Sequence, residues 1–536
     1  MKKASERSKH HWFVIWMVAL LSTGLYPVYQ QMNGHLGFPL DDAWIHQTYA
    51  RNLAQTGQLA YLPSQPSAGS TSPAWSFLLS LAYLVGLDYR LWAYLLGGLA
   101  LAATAWLTYR LFLRLAPQRP RVAFLAGLFA ATEWHLVWAA ASGMETMLFT
   151  ALSLTLLEYY WGYMAGQPKA VGPASLQTER TVVTAVGIGL LGGLLVVTRP
   201  EGLGLAVFVF MGFLAFSASV SRGTGRVRFV ANLAWLLAFG LVAGPYVAFN
   251  LRTSGAVFPN TFYAKQAEYQ LSQPFLVRFW QVLSPTLVGA QVLLLPGLGY
   301  AIYRLLSRIG SLRRPSHAWA KDLTETLPTL LPLGWWFALL TVYAVRLPVA
   351  YQHGRYAMPT IPLFILYGTW GTAELLRPRS SRLWQRVLSQ SLLAALTVLV
   401  LLFWGRGAIA YRDEVGFVEG EMVAAARWLN EHTDPDDRIA VHDIGAIGYF
   451  THRPLLDLAG LISPEVIPFI ADPERIMDWI SQRGASYLVF FPDFSSTYEQ
   501  LSVDPRLQRV YCTDHPWTRL QGHRNMCIYR LSLGQL

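Results

Sequence analysis

The segment Pro39-Leu40-Asp41-Asp42, followed by AWIHQTYARNLAQTGQL, sets two adjacent carboxylates at the head of a short patterned stretch. Ile45, Tyr49 and Leu53 recur at i, i+4 and i+8, which predicts an amphipathic helix able to lie on a membrane surface. One Asp could serve as its N-cap, but a cap needs only one, and neighbouring carboxylates repel each other. A carboxylate here could take a proton from a sugar hydroxyl or hold a cation. We take Asp41 as the leading general base and Asp42 as its partner, orienting an acceptor or holding a divalent ion. Any metal, Mg or Mn, would sit on Asp41 or Asp42.

Other segments carry groups of matching chemistry. Ser142-Gly143-Met144-Glu145 and Thr198-Arg199-Pro200-Glu201 both fit the capping box S/T-x-x-E, which would account for Glu145 and Glu201 but not for Arg199. In Phe258-Pro259-Asn260-Thr261-Phe262-Tyr263-Ala264-Lys265 the lysine could anchor at the lipid interface or bind a phosphate. The loop Ala350-Tyr351-Gln352-His353-Gly354-Arg355-Tyr356 combines a glycine that permits close approach with two donors for an oxyanion. The donor phosphate is assigned to Arg355, with His353 and Lys265 as helpers and Arg199 as runner-up; an interfacial aromatic-basic belt is the competing reading. Glu133 and His135 fall inside an apolar run, where ionisable groups usually serve function. Asp434-Pro435-Asp436 reads as a turn.

The elements that must position these residues are membrane spans. The chain has 536 residues, 53% hydrophobic and 14% charged, against about 25% charged in an average soluble domain. Mean hydropathy is +0.32. This excludes a disordered chain, a coiled coil and an ordinary cytosolic enzyme. Apolar runs long enough to cross lie at 12–29, 91–113, 121–140, 144–164, 181–198, 202–220, 229–250, 281–306, 327–346, 357–376 and 387–411, eleven in all. The run 73–87 is read as a juxtamembrane or re-entrant helix. On this count the cytoplasmic segments 1–11, 114–121, 165–180, 221–228, 307–326 and 377–386 hold twenty Lys+Arg, and the opposite loops hold seven. That asymmetry orients the chain in the plasma membrane with its N-terminus in the cytoplasm. It also puts Asp41, Glu145, Arg199, Lys265 and Arg355 on one outer side, with Lys265 the only lysine there.

The net charge of +11 conceals a split: residues 1–411 hold 31 Lys+Arg and 13 Asp+Glu, residues 412–536 hold 11 and 18. The basic excess sets topology rather than binding nucleic acid. Residues 1–411 are thus expected to form the transmembrane catalytic domain, with a first external loop at 33–90. Residues 412–536 are expected to form a soluble extracytoplasmic α/β domain, because short strands alternate with helices there. Its two cysteines, Cys512 and Cys527, lie on an oxidising side if the chain is exported into such a space and are expected to pair.

The ordered set DDAWIHQTYARNLAQTG, GSTSPAW, SGMET, TRPEG, PNTFYAK, HGRY and VHDIGAIGYFTHRPLLDLAGL resembles the polytopic GT-C glycosyltransferases that use polyprenyl-phosphate sugars, and among them the mycobacterial terminal arabinofuranosyltransferases. The resemblance implies a GT-C-like fold, a lipid-linked donor, and a catalytic acidic pair that Asp41 and Asp42 fill. Its segments add Arg51, Asn260, Tyr263, Asp443 and Asp457 as candidates. The expected activity moves a sugar from a polyprenyl-phosphate carrier to an extracytoplasmic cell-envelope glycan, lipid or protein acceptor. A nucleotide-sugar donor would be stranded in the cytoplasm, whereas these residues face outward. Two alternatives are a lipid-linked glycan transporter or flippase, disfavoured by the lack of an internal repeat, and a ligase moving a whole oligosaccharide.

Overall fold

The computed structural model describes residues 2–34, 36–63, 65–166, 174–220, 225–268, 273–312, 319–376 and 382–532. Parts of the segments read as cytoplasmic, at 167–173, 221–224, 313–318 and 377–381, fall outside the described residues. The chain is a polytopic helical membrane protein carrying a small C-terminal sheet.

The first long helix, α1 (Lys2–Asn33), leads into a loop that folds as α2 (Asp41–Thr56), the two-stranded hairpin β1 (Ala60–Leu62) with β2 (Gln65–Pro66), and α3 (Pro73–Val85). Helix α3 starts at a proline and stops at Gly86, whose φ of 74° ends the helix in the left-handed region. Its 13 residues reach about 20 Å, short of the roughly 30 Å hydrocarbon layer. The helices α4 (Tyr89–Leu115), α5 (Pro120–Thr132), α6 (Trp134–Ala141), α7 (Thr146–Gly166), α8 (Ala174–Thr198), α9 (Gly202–Val220) and α10 (Gly225–Ser254) follow. Next come α11 (Asn260–Glu268), α12 (Phe275–Leu283), α13 (Leu295–Leu312), α14 (Trp319–Arg346), the single turn α15 (Tyr351–Gly354), α16 (Ile361–Leu376) and α17 (Leu383–Val418).

Each of the eleven apolar runs falls on one of these helices or on a bent pair. Among the described residues six helices are long and apolar enough to cross, or eight if α5 with α6 and α12 with α13 each count as one broken span. The break of 48° between α5 and α6 has a local cause. The Glu133 carboxylate accepts the Leu136 N–H at 3.0 Å and so starts a new helix. His135 Nδ1 lies 2.7 Å from the same carboxylate, and both side chains are buried. These two ionisable residues thus hold a kink. Glu158, at the other end of the bundle, is held by Arg110 and Arg114. Lipid offers no hydrophobic drive between helices, so close approach relies on small residues. A Cβ at Gly97 would collide with the Ala140 carbonyl, and one at Gly371 with the Gly297 carbonyl.

Helix α17 continues through a π-turn at Glu419–Val423 into α18 (Ala424–His432), one 50-residue helix. Beyond it lie β3 (Ile439–Val441), α19 (Ile444–Thr451), β4 (Leu455–Asp457), α20 (Pro473–Gln482), β5 (Tyr487–Phe490), α21 (Ser496–Leu501), β6 (Leu507–Cys512), α22 (Pro516–Leu520) and β7 (Cys527–Leu531). The sheet order is β4-β3-β5-β7-β6. The β3 strand is parallel to β4 and β5, and β7 is antiparallel to β5 and β6. Cys512 and Cys527 sit opposite each other on β6 and β7 and form a disulfide. Buried Glu421 in the π-turn accepts from Thr513, Thr518, Asn525 and the Met526 N–H, which fastens the sheet to the long helix. The expected alternation of short strands with helices is present, with α19 directly after β3 and β6 at the sheet edge beside β7.

Candidate active site

Helix α2 fixes the first carboxylates. Its N-cap is Leu40, so neither Asp caps its own helix. Asp41 instead caps a different one: its two oxygens accept the Gly445 and Ala446 N–H groups, each at 2.7 Å, at the N-terminus of α19. The rest of α19 is shaped for this contact. A Cβ at Gly445 would strike the Asp41 carbonyl, and one at Gly448 would strike the Tyr61 hydroxyl, so both glycines of DIGAIGY face α2 and β1. Tyr61 donates to the Ile444 carbonyl, and Arg51 donates to the Tyr449 carbonyl at 2.8 Å. Burial and the nearby Asp443 carboxylate push the Asp41 carboxyl up to about 7 against those backbone donors.

Asp42 turns the other way, into a cavity of about 330 Å³. There Arg355 Nη2 donates to Asp42 Oδ2, and Lys265 Nζ lies 3.7 Å from the same oxygen. Both cations also reach the Tyr356 hydroxyl, Lys265 at 2.7 Å and Arg355 at 3.0 Å. Burial alone would raise the Asp42 carboxyl; Arg355 and Lys265 hold it well below the usual carboxylate range. Burial would also raise the Tyr356 phenol, but the same two charges bring it down to about 8. The Arg355 side chain is only 4% exposed, and its Nε and Nη1 have no hydrogen-bond partner. A buried guanidinium with two unmatched nitrogens is costly unless an anion completes it.

A second cation, Arg199, lies over the same Tyr356 ring as Arg355 and is held in an ion-pair cluster. Glu145 Oε2 lies 3.1 Å from His46 Nε2, and Glu145 Oε1 lies 3.4 Å from Arg199 Nη1. Arg199 also donates to Glu201 at 2.6 Å and to the Tyr343 hydroxyl at 2.9 Å. The buried Glu145 carboxylate is thus paired on both sides, by His46 and by Arg199. Glu145 and Glu201 therefore form an ion-pair cluster with Arg199 in place of the capping boxes. Ser70 and Gln266 also line the cavity, and each has one buried polar atom without a partner.

Of the residues singled out by sequence, Asp42, Glu145, Arg199, Glu201, Lys265 and Arg355 meet in this cavity. The others stand around it. His353 points away, with Nε2 at 2.7 Å from Glu414 Oε1, so its imidazole is not beside Arg355. Gln352, His353 and Gly354 all have positive φ, and a Cβ at Gly354 would press on Pro285, so the turn that delivers Arg355 is tightly constrained. Asn260 donates to the Leu461 carbonyl at 3.1 Å, and Thr261 to the Gly69 carbonyl at 2.6 Å. Buried Asp457 accepts the Ala459 and Ile462 N–H groups and so shapes the loop that brings Leu461 to the cavity. Burial raises its carboxyl to about 6. Asp443 pairs with His442 at 3.3 Å. Tyr263 packs its ring against Phe262.

His46, Tyr343 and Tyr356 were not foreseen. His46 follows Asp42 by one helical turn and so shares its face, a spacing visible in the sequence. Tyr343 lies in the last turn of α14 among other apolar residues and gives no such signal.

The donor set does not fit a divalent ion at Asp41 or Asp42. Asp42 already faces two cations, and both Asp41 oxygens are taken by backbone N–H groups. Among the described residues no three His, Cys, Asp or Glu side chains converge to ligate a metal.

A family described only as a domain of unknown function, DUF8728, matches residues 407–529. No curated protein matches the chain in sequence. Solved structures do match in shape. ArnT from Cupriavidus metallidurans, bound to undecaprenyl phosphate, superposes with a TM-score of 0.56 at 15% identity, over 96% of this chain and 98% of its own. The apo oligosaccharyltransferase of Archaeoglobus fulgidus gives 0.61 at 12% identity over 92% and 71%. Archaeal AglB from the same organism, in complex with an inhibitory peptide and a dolichol-phosphate, gives 0.56 at 13% over 92% and 71%. The chain therefore shares the overall fold of these solved structures.

Proposed function

We propose that this chain is a glycosyltransferase that moves a sugar from a polyprenyl-phosphate carrier to an extracytoplasmic glycan, lipid or protein of the cell envelope. The observation that carries the reading is the buried, incompletely paired Arg355 beside Lys265 and Asp42 in one cavity. The shape shared with ArnT, a structure bound to undecaprenyl phosphate, supports the lipid carrier.

In the proposed reaction the donor phosphodiester lies on Arg355 and Lys265. An acceptor hydroxyl oxygen attacks the anomeric carbon and forms the new glycosidic bond. The bond from that carbon to the phosphate oxygen breaks, and its electron pair leaves with the polyprenyl phosphate. The hydroxyl proton passes to a carboxylate of the first external loop. We assign that base to Asp42, which lines the cavity, and make Asp41 a positioning residue that docks α19 against α2. The leaving phosphate gains a negative charge, which the two cations stabilise as it develops. The chain's own residues cover every proton and charge in this scheme, and no step is routed through a metal.

A cavity of about 330 Å³ is at the small end of ligand pockets, which favours one sugar-phosphate head over a whole oligosaccharide. We place the N-terminus in the cytoplasm and the sheet outside, so a tag after residue 536 should be reached by external protease. Purified protein in detergent, with no gradient, should release polyprenyl phosphate from a polyprenyl-phosphate sugar and glycosylate an envelope acceptor. Activity that appears only in sealed vesicles would favour transport and overturn the reading.

A further inference from the structure

Three side chains of the cavity are arranged in depth. Asp42 is the most open at 33% side-chain exposure, Lys265 is at 24%, and Arg355 lies behind at 4%. Both cations converge on the same carboxylate oxygen, Asp42 Oδ2. Arg355 Nη2, the only guanidinium nitrogen with partners, divides between Asp42 and Tyr356. A phosphate approaching from the cavity therefore meets a carboxylate that already holds Nη2, one of the guanidinium nitrogens it needs, and lies against Lys265. Carboxylate and phosphate compete for the same planar donor set. A carboxylate held between two cations is also a poor proton acceptor.

We infer that Asp42 is a donor-released base: with no donor present it holds Arg355 Nη2 and Lys265, and the arriving donor phosphate, drawn by the unpartnered Nε and Nη1, evicts it and frees it to act. This rests on the proposed lipid-phosphate reading and adds an order of events to it. The donor must bind first, because until it does the base is neutralised by Arg355 Nη2 and Lys265. An acceptor hydroxyl that enters early meets no competent base, and neither does a water molecule in the donor-free enzyme. The depressed carboxyl of Asp42 agrees with this arrangement. Each guanidinium nitrogen of Arg199 already faces Glu201, Tyr343 or Glu145, which leaves Arg355 and Lys265 as the seat.

The inference predicts an unusual split. Removing an active-site carboxylate should strengthen binding of the donor head while destroying turnover, since the tethered competitor is lost along with the base. The probe is farnesyl monophosphate, titrated calorimetrically into the full-length protein in detergent. The wild type, Asp42→Asn, Asp42→Ala and Arg355→Gln are compared, with melting curves confirming the fold. Either Asp42 variant may serve, because Asp41 still supplies an acidic residue to the first turn of α2. The expected result is at least tenfold tighter binding in the Asp42 variants, with turnover of a polyprenyl-phosphate sugar reduced by a hundredfold or more. Equal or weaker binding in a folded Asp42 variant overturns the release mechanism while Arg355-dependent binding by the wild type keeps the lipid-phosphate reading. Binding that is absent throughout, or untouched by Arg355→Gln, overturns both.

Discussion

Replacing Arg355 by lysine separates a phosphate clamp from a membrane-anchoring belt. The positive charge is kept, so a residue that merely marks the interface should tolerate the change. A clamp should not, because lysine is a point charge and cannot present two parallel N–H groups. The structure sets the magnitude. Arg355 is 4% exposed and has two guanidinium nitrogens without partners. Loss of one charge-assisted hydrogen bond costs about 1.5–3 kcal/mol, or roughly 10- to 150-fold. The loss should fall mainly on kcat. The donor phosphodiester carries one negative charge and the departing monoester two, so the missing contact matters most as the bond breaks. The assay is steady-state turnover of a short-chain polyprenyl-phosphate sugar in detergent, with melting curves to confirm the fold. A kcat and KM both within twofold of wild type would refute the clamp and leave Arg355 as an interfacial anchor.

Chelation with EDTA should leave turnover unchanged, since Asp42 already faces two cations; loss of activity restored by Mg or Mn would contradict this. The Cys512–Cys527 disulfide closes a 15-residue separation, for which the chain-entropy relation gives about 3 kcal/mol; the double Ser variant should melt several degrees lower, and an unchanged melting temperature would show that the link adds nothing. Burial would lower the His442 imidazole, but the Asp443 and Glu268 carboxylates raise it to about 10. A raised histidine stabilises the fold fully below its unfolded value near 6.5 and loses that contribution as pH rises through about 10. Melting temperature should therefore fall across that window, and the fall should be smaller in His442→Gln.

Long-range apolar order was the most legible part of this chain. The spans announce themselves because the lipid core demands continuous apolar helices with every backbone group satisfied internally. The C-terminal strands β3, β4 and β5 were legible for a related reason, being buried apolar runs. Strand β6 was not, because LQRVYC is an edge strand with an exposed centre and its apolar residues do not alternate. Helix α19 was not legible either, because Gly445 and Gly448 are poor helix formers. The structure explains their presence by contact with Asp41 and Tyr61, far away in the sequence, information no local window contains.

The same distinction governs the site. Residue type and membrane side were enough to bring Asp42, Lys265 and Arg355 forward, because carboxylates, lysine and arginine on one outer surface are few. Direction could not be read. Asp41 and Asp42 are neighbours in sequence, yet successive helical residues point about 100° apart, and here that angle divides two tasks. Asp41 reaches the N-terminus of α19, and Asp42 reaches the cations. His353 and Arg355 divide in the same way, one held by Glu414 and the other facing the cavity, across a turn of three positive-φ residues. In both pairs one member anchors the element and the other faces the cavity. The anchor should therefore be sensitive to changes far from the cavity: Glu414→Gln, which touches no cavity-lining residue, is expected to slow turnover by loosening the turn that delivers Arg355.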